Sequence, residues 1–460
     1  MLKTVFRISA ASLALLHLLR IFIPSGTEPA MGAAAFIVLL SGVFLMGKGF
    51  RAATILFLAA GIAALALTRQ PFAAWLRSLN SMTNTVAIMV VMQVFSIPVS
   101  MARCDVAIRE WAEKKFPSDR SLFVFSTLIT HVLTSFLMMG AIPVSLALVG
   151  STVESRVEKP RQFLAQSLSR GYVLAALWAP GAINLYLVVQ ATGVSWSSIL
   201  IPGFILAALG LGLSYAMECG PGGLLSKRPS AARLGGNSPA GEKSSGAAGM
   251  IQVLAAALSI VVIVILLEKL RIGAGYTRIM LAGLVVATVW TLALRNAKTF
   301  AAAAGDYWTE GILKVRDLGP FFVAMGIFSG ALESSGLLAL AGPYIQSAAA
   351  WLGLASIAIL PLIIILLSLV GLHPFITLVL FGKILSGAGM PVSNLAIAIS
   401  LASGGAAAYM ISPFAGIIIS LSRFTGARAS EIAVKWNWKF SAAFYVLGIG
   451  FALFWGALFG

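Results

Sequence analysis

Apolar runs of about twenty residues recur along the whole chain, separated by short polar segments. A helix needs roughly 20 consecutive apolar residues to cross the hydrocarbon core of a bilayer. The chain is 59% hydrophobic and only 10% charged, which is too little polar surface for a soluble domain of 460 residues. The sequence therefore predicts an all-α polytopic membrane protein.

Eleven segments have the length and composition of transmembrane helices. They are 8–24, 31–47, 52–68, 84–103, 163–190, 196–217, 250–267, 277–294, 318–338, 391–422 and 434–458. Two longer apolar stretches, 121–150 and 353–385, are interrupted near their centres by Gly and Pro. That pattern predicts two re-entrant hairpins, each made of two half-helices and a turn. Two very short spans or one long tilted helix are the alternatives.

The net charge of +17 comes from 32 Lys and Arg against 15 Asp and Glu. The basic residues lie between the apolar segments rather than in one patch, which favours loops at a membrane surface and no nucleic-acid partner. With the N-terminus inside, most of them fall on the cytoplasmic side. The exceptions are Arg69, Arg77, Lys269, Arg271, Arg278 and Lys383 outside and Arg20 within the first helix. This asymmetry predicts a bacterial-type inner membrane protein with a cytoplasmic N-terminus and an external C-terminus.

The second half of the chain repeats the first. Shifted by 233 residues, 165–199 aligns with 398–432 without a gap, and 11 of the 35 positions are identical, including Pro180/Pro413. At an offset of 231 the hairpin centres also match, through Gly140/Gly371. Each copy holds five crossings and one hairpin. Because five is odd, the second copy is predicted to lie inverted in the membrane, as in secondary transporters.

The repeat divides the chain into four predicted parts. Residues 1–30 form a leading transmembrane helix, 31–218 form repeat 1 and 250–460 form repeat 2. Between the repeats, 219–249 is rich in Gly, Ser, Ala and Pro, which predicts a flexible cytoplasmic linker. Cys104 and Cys219 fall in predicted cytoplasmic stretches without metal-ligand spacing, so both are predicted to be free thiols.

This layout resembles the ion transporter superfamily, especially its divalent anion/sodium symporter branch. The resemblance rests on the leading helix, the two inverted five-helix repeats with one hairpin each, and amphipathic stretches at 104–116 and 339–352 that look like interfacial helices. The Ser-Asn-Thr motif that the symporters carry at their hairpin tips is missing. The resemblance implies elevator-type alternating access by a homodimer in membrane lipid.

The site is predicted at the helix breaks in 163–190 and 391–422, together with the two hairpin tips. A half-helix that begins after a break has free backbone N–H groups and a positive dipole end, which favour a small anion. The predicted substrate-binding residues are Thr134, Ser135, Gly140, Pro180, Gly181, Asn184, Ser368, Gly371, Ser412 and Pro413. His373 and Glu333 are the candidates for coupling to protons.

These features predict a secondary active transporter of a small anion, such as a carboxylate or dicarboxylate, coupled to Na⁺ or H⁺ and needing no cofactor. A cation/proton antiporter, or an exporter of inorganic oxyanions or arsenite on the same scaffold, is the alternative. An intramembrane enzyme is disfavoured because the sequence has three His and two Cys and no HExxH or GxGD pattern.

Overall fold

A computed structural model describes residues 1–20, 22–23, 26–102, 116, 118–225, 246–336, 340, 343–344, 347–348, 351–370, 374, 377–378 and 392–459. Within these residues the secondary structure is helical throughout. Some sequence predictions lie outside them: Gly371, His373, Cys104, Lys383, almost all of the stretch 104–116, half of 339–352 and the linker segment 226–245.

Helices fill both halves of the chain. The first half contains α1 (Leu2–Leu19), α2 (Glu28–Leu45), α3 (Lys48–Leu67), α4 (Phe72–Asn80), α5 (Thr83–Met92), α6 (Ser96–Met101), α7 (Asp119–Leu137), α8 (Ala141–Arg156), α9 (Pro160–Ala175), α10 (Ile183–Thr192) and α11 (Trp196–Cys219). The second half contains α12 (Gly246–Lys269), α13 (Gly275–Ala293), α14 (Ala297–Asp306), α15 (Leu318–Ser334), α16 (Ser356–Leu369), α17 (Asn394–Ile411), α18 (Gly416–Thr425) and α19 (Asn437–Phe459).

Ten helical segments of the described chain are long and apolar enough to cross a membrane, and the bent run from Ala297 to Ser334 makes an eleventh. Nine of the ten coincide with predicted spans. The tenth is α7, the first arm of the predicted hairpin. The predicted span 163–190 is absent from the ten because it is split into α9 and α10. The protein is thus an all-α polytopic membrane protein, as the sequence predicts.

The stretch 121–150 folds as a helical hairpin. The α7 helix ends at Leu137, a 3-10 turn spans Met138–Gly140, and α8 begins at Ala141 and packs back against α7. Met138 takes a positive φ of 50°, which reverses the chain direction. The first arm of the second predicted hairpin is α16, which ends at Leu369, and its tip and second arm lie outside the described residues.

The two halves share backbone geometry at the offset of 233 residues. Both α10 and α18 follow an extended alanine, Ala182 or Ala415, and both end at a glycine in the left-handed region with φ of 69°, Gly193 or Gly426. Packing repeats as well: α7 lies along α9 as α16 lies along α17. The segments that repeat in sequence therefore share these local backbone conformations and helix contacts, and the glycine at each helix end takes a left-handed conformation that most other residues avoid.

The helices pack in two groups. The α1–α6 and α12–α15 helices contact one another extensively, and so do α7–α11 with α16–α19. Contacts between the groups are less extensive and include α12 against α7, and α7 against the turn Gln93–Phe95. We call the first group the scaffold group and the second the hairpin group.

The hairpin at 121–150 predicts that both of its ends face the same side of the membrane. In a variant without Cys104 and Cys219, single cysteines at Ser121 and Ser151 should react with an impermeant thiol reagent from the same face. Ser151 is exposed and Ser121 is half-buried, so neither substitution needs a change in the core. Labelling of the two cysteines from opposite faces would contradict the re-entrant hairpin and the inverted repeat together.

Candidate substrate site

The site forms where both long helices of the hairpin group are broken. The first break runs from the end of α9 at Ala175 to Ile183 and contains Pro180, and the second runs from the end of α17 at Ile411 to Gly416 and contains Pro413. Proline has no N–H and clashes with the preceding turn, so neither helix continues through its proline. The sequence-predicted breaks are therefore present at both positions.

One backbone hydrogen bond is the same in the two breaks. In the first, the Ala182 N–H donates to the Ala179 carbonyl at 3.0 Å, and in the second the Ala415 N–H donates to the Ser412 carbonyl at 3.1 Å. Neither Ala182 nor Ala415 provides a side-chain cap for the half-helix that follows. The first N–H groups of a helix have no partner within the helix, so both half-helices begin with donors available to other groups.

The half-helices pack crosswise. The α10 helix contacts α17 of the other repeat, and α18 contacts α9. Tyr409 connects the two N-terminal ends: its hydroxyl is hydrogen-bonded to the Gly416 backbone, and its side chain lines the same cavity as Ala182 and Ile183. Both breaks therefore contribute to one region of the protein.

A cavity of about 30 Å³ lies at this region. It is lined by Thr134, Met138, Tyr172, Val173, Ala176, Ala182, Ile183, Asn184, Leu318, Ala406 and Tyr409. A water molecule needs roughly 10–15 Å³ measured in this way, so the cavity has room for one or two waters. Of the described residues that line it, Leu318 belongs to the scaffold group and the others belong to the hairpin group. The cavity has no room for a dicarboxylate at this size.

Asn184 offers the cavity a hydrogen-bond acceptor. Its side chain is buried, its Nδ2 donates to the Ala402 carbonyl at 3.3 Å, and its Oδ1 has no hydrogen-bond partner. Gly405 makes room for this amide, because a Cβ at that position would overlap Oδ1. A buried acceptor without a partner costs about 1–3 kcal/mol, and this one belongs to a residue that lines the cavity.

Two tyrosines face each other across the cavity and break the symmetry of the repeat. The rings of Tyr172 and Tyr409 are nearly parallel, with centroids 6.5 Å apart and planes inclined by 13°. At the offset of 233 residues, Tyr172 corresponds to Gly405 and Tyr409 corresponds to Ala176. The aromatic lining therefore comes from non-equivalent positions of the two repeats.

The predicted hydroxyl groups are present, but their protons are already used. Thr134 lines the cavity and donates to the Thr130 carbonyl at 2.7 Å, and Ser135 donates to the Val132 carbonyl at 2.7 Å. Ser368 donates to the Ile365 carbonyl at 2.7 Å. Such bonds to the preceding turn are common for Ser and Thr in helices. Thr134 can therefore meet a ligand only as an acceptor in this state.

Ser412 connects its break to the second hairpin. Its hydroxyl donates to the Ser368 carbonyl at 2.9 Å and accepts from the Phe414 N–H at 3.3 Å. Both bonds stabilise the break itself, and the side chain is fully buried. Its predicted contact with the substrate stays a prediction.

Gly140, Gly181 and Glu333 are predicted functional residues that are not among the described residues lining the cavity. A Cβ on Gly181 would be 3.0 Å from the Met92 Cε, so this glycine lets the break approach α5. A Cβ on Gly140 would be 3.8 Å from the Gln93 Oε1 and 3.9 Å from the Lys314 Nζ, which places the hairpin tip against the scaffold group. Glu333 is exposed in the last turn of α15, away from the residues that line the cavity.

Comparison with known proteins identifies the fold. Neither a protein-family profile nor a curated protein sequence matches the chain. Among solved structures, the YdaH transporter of Alcanivorax borkumensis matches 88% of this chain and 99% of its own, with a TM-score of 0.56 and 12% sequence identity. This chain has the fold of a membrane transporter. MtrF of Neisseria gonorrhoeae, described as one of a class of antimetabolite efflux pumps, matches 83% of this chain and 84% of its own, with a TM-score of 0.49 and 13% identity.

A buried ion pair that the sequence analysis overlooks lies on the same broken helix. An Arg170 terminal nitrogen is 2.8 Å from Glu218 Oε1, and the two side chains are 1% and 8% exposed. Arg170 Nε donates to Asn437 Oδ1 at 3.1 Å, and its guanidinium lies 4.6 Å from the Phe440 ring centroid. Gln166 adds a donor to Glu218 at 3.1 Å. The signal for this pair was an arginine inside an apolar span, since a charge there needs a partner.

We expect Glu218→Gln to destabilise the protein strongly. It leaves the buried Arg170 without its counter-charge, and removing one partner of a buried pair costs about 3–5 kcal/mol. The apparent melting temperature of the purified protein should fall clearly, whereas it should hardly change for Glu268→Gln, which affects a less buried carboxylate bonded to Ser197. The double variant Arg170→Met/Glu218→Met should recover much of the loss. Wild-type melting of Glu218→Gln would show that the pair contributes nothing.

Proposed function

We propose that this protein is a secondary active transporter that binds a small anion, such as a carboxylate or dicarboxylate, at the N-terminal ends of α10 and α18. The observation that carries the proposal is the pair of matching half-helix ends, uncapped by the residue before them and joined at Tyr409. Free N–H groups and the positive end of a helix dipole attract anions. The fold shared with the YdaH transporter supports the same conclusion.

The Asn184 carbonyl oxygen gives the site a second chemical property. An amide oxygen without a partner can coordinate Na⁺ or accept an N–H or O–H from the solute. Because Asn184 lies in the first turn of α10, the proposed site can hold both the anion and its coupling cation. It can equally hold one solute that has an anionic group and a hydrogen-bond donor. This acceptor supports Na⁺ as the coupling ion, and coupling to H⁺ stays a prediction. This acceptor also favours the alternative, a cation/proton antiporter, although neither break contains an acidic residue.

The two groups of helices suggest how the solute moves. We propose that the hairpin group carries the site and slides against the scaffold group in an elevator-type transport cycle, as the resemblance to the ion transporter superfamily implies. In this proposal the protein is a homodimer of the bacterial inner membrane, with the N-terminus in the cytoplasm. The lining of the cavity supports it, because Leu318 is the scaffold residue that closes a site otherwise built on the hairpin group.

The first test is ligand binding to the purified protein. We measure the melting temperature of the protein with each of several anions: mono- and dicarboxylates, sulfate and phosphate. Each anion is added with Na⁺ or with choline. A ligand that binds the folded state stabilises it and therefore raises the melting temperature. A stabilising anion whose effect depends on Na⁺ would support symport with sodium. Stabilisation by cations alone would contradict the anion site and favour the antiporter.

The Asn184→Ala variant should weaken binding of the anion found in that screen. It removes the acceptor in the first turn of α10, and a hydrogen bond to a charged group contributes about 1.5–3 kcal/mol. The dissociation constant should therefore rise roughly tenfold or more, with little change in protein yield. The matched control is Asn80→Ala, which removes an amide whose Nδ2 donates to the Glu28 carbonyl outside the cavity. Equal binding by both variants would place the site elsewhere.

A cross-link between the two helix groups should stop transport. Cysteines at Gln93 and Gly140 join the scaffold to the hairpin tip, because a Cβ on Gly140 lies 3.8 Å from the Gln93 Oε1. Bridging them with Hg²⁺ should block uptake into proteoliposomes, and a thiol should restore it. The control pair is Met92 and Gly283, both in the scaffold group, where a Cβ on Gly283 lies 3.0 Å from the Met92 Sδ. Uptake that survives the Gln93–Gly140 bridge would exclude the elevator movement.

A further inference from the structure

A groove of about 650 Å³ lies between α7 and α11, on the outside of the hairpin group and apart from the candidate substrate site. Its lining is Phe116, Ser118, Arg120, Ser121, Phe123, Val124, Thr127, Leu128, Leu211, Gly212, Ser214 and Tyr215. The α7 helix begins and α11 ends at this end of the molecule, so the groove extends from the membrane surface toward the bilayer interior.

Polarity changes along the groove. At the surface end Ser118, Arg120 and Ser121 supply polar groups, whereas deeper along α7 the lining is Val124 and Leu128. Residues 121 and 128 are seven apart, which is roughly 10 Å along a helix axis. Leu128 is 44% exposed, so the apolar part opens toward the lipid. A molecule that fits has a polar end at the surface and an apolar chain beneath it.

The surface end is positively charged. Arg120 is exposed, and its Nε donates to the Leu225 carbonyl at 3.3 Å, which holds the guanidinium at the mouth of the groove. Asp119, the acid of the same helical turn, is not among the described residues that line the groove. A guanidinium binds phosphate oxygens through paired, charge-assisted hydrogen bonds.

We propose that this groove binds an anionic phospholipid, with the phosphate on Arg120 and one acyl chain along Val124, Leu128 and Leu211. The proposal rests on the proposed membrane orientation, in which this end of the molecule faces the cytoplasmic leaflet, where anionic lipids attract basic residues. Ser214 forms part of the wall and is the hydrogen-bond partner of the buried Arg170 at 3.3 Å. The lipid thus contacts the network that holds α9, the first broken helix.

The test uses the full-length protein, delipidated in detergent and titrated with phosphatidylglycerol or phosphatidylcholine in native mass spectrometry. We expect phosphatidylglycerol to bind at least fivefold more tightly than phosphatidylcholine. Arg120→Gln should reduce phosphatidylglycerol binding roughly tenfold, the loss that a charged hydrogen bond implies. The charge control is Arg161→Gln, at another exposed arginine of the hairpin group outside the groove, which should bind like the wild type.

A second variant blocks the apolar part. Gly212 lines the groove and a Cβ there meets no atom within 4 Å, so Gly212→Trp fills the groove without disturbing the helices. The matched control is Gly450→Trp, at an exposed glycine of α19 where a Cβ also meets no atom. Gly212→Trp should lose the bound lipid and Gly450→Trp should keep it.

Four results would overturn the proposal. Phosphatidylcholine binding as tightly as phosphatidylglycerol would contradict the selectivity for an anionic lipid, and unchanged phosphatidylglycerol binding by Arg120→Gln would contradict the role of Arg120. Displacement of the lipid by inorganic phosphate at equal concentration would show a phosphate site without an acyl groove. Unchanged lipid binding by Gly212→Trp would place the lipid elsewhere. None of these results bears on the substrate site, whose failure is read from the anion screen and from the Asn184→Ala variant.

Discussion

The structure depends on how the backbone is satisfied where two membrane helices are broken. In hydrocarbon an unpaired N–H or C=O costs several kcal/mol, so a break is stable only where the protein supplies partners. Within the breaks, local backbone bonds such as those of Ala182 to Ala179 and of Ala415 to Ser412 supply part of this, and each half-helix packs on a helix of the opposite repeat. Ser412 and Tyr409 use their hydroxyls for the second break. The first break has no serine at the equivalent position, which is Ala179, and its N-terminal end opens to the cavity.

This difference between the breaks turns a symmetric framework into a one-sided site. At the repeat offset Asn184 corresponds to Ile417, and Tyr172 corresponds to Gly405. Those two pairs are linked in space, because the missing side chain at Gly405 is what accommodates the Asn184 amide. In the function that we propose, the repeat supplies two helix ends, and its departures from symmetry supply the Asn184 amide and the two tyrosines. A solute bound there meets a different chemistry on each side, which gives a site a means of selecting one orientation of an asymmetric ligand.

The sequence was sufficient for the architecture because bilayer thickness and proline chemistry act locally. Span lengths, the breaks at Pro180 and Pro413, and the repeat follow from composition and spacing alone. The chemistry of the candidate site could not be predicted from the sequence in the same way. Whether Thr134 can donate depends on its bond to the Thr130 carbonyl, a consequence of helical geometry that residue type does not reveal. The stack of Tyr172 on Tyr409 and the pair of Arg170 with Glu218 join distant segments, and no single-sequence pattern predicts which distant residues meet.

The Arg170 network explains how a helix with a break in it can still act as part of a rigid body. Arg170 lies one turn before the end of α9 and binds Glu218 at the end of α11 and Asn437 at the start of α19. A buried ion pair often stabilises a protein no more than apolar side chains of the same size would. It does fix the relative positions of its two helices, because a displaced partner would leave a charge buried alone. Three helices are thereby held in register close to the break, which begins five residues after Arg170. The last carbonyls of α9 accept hydrogen bonds from the N–H groups of the break itself, among them Leu177 and Ala179. The Arg170 network thus fixes the helix on which the first break lies, and the elevator movement that we propose requires such a fixed attachment.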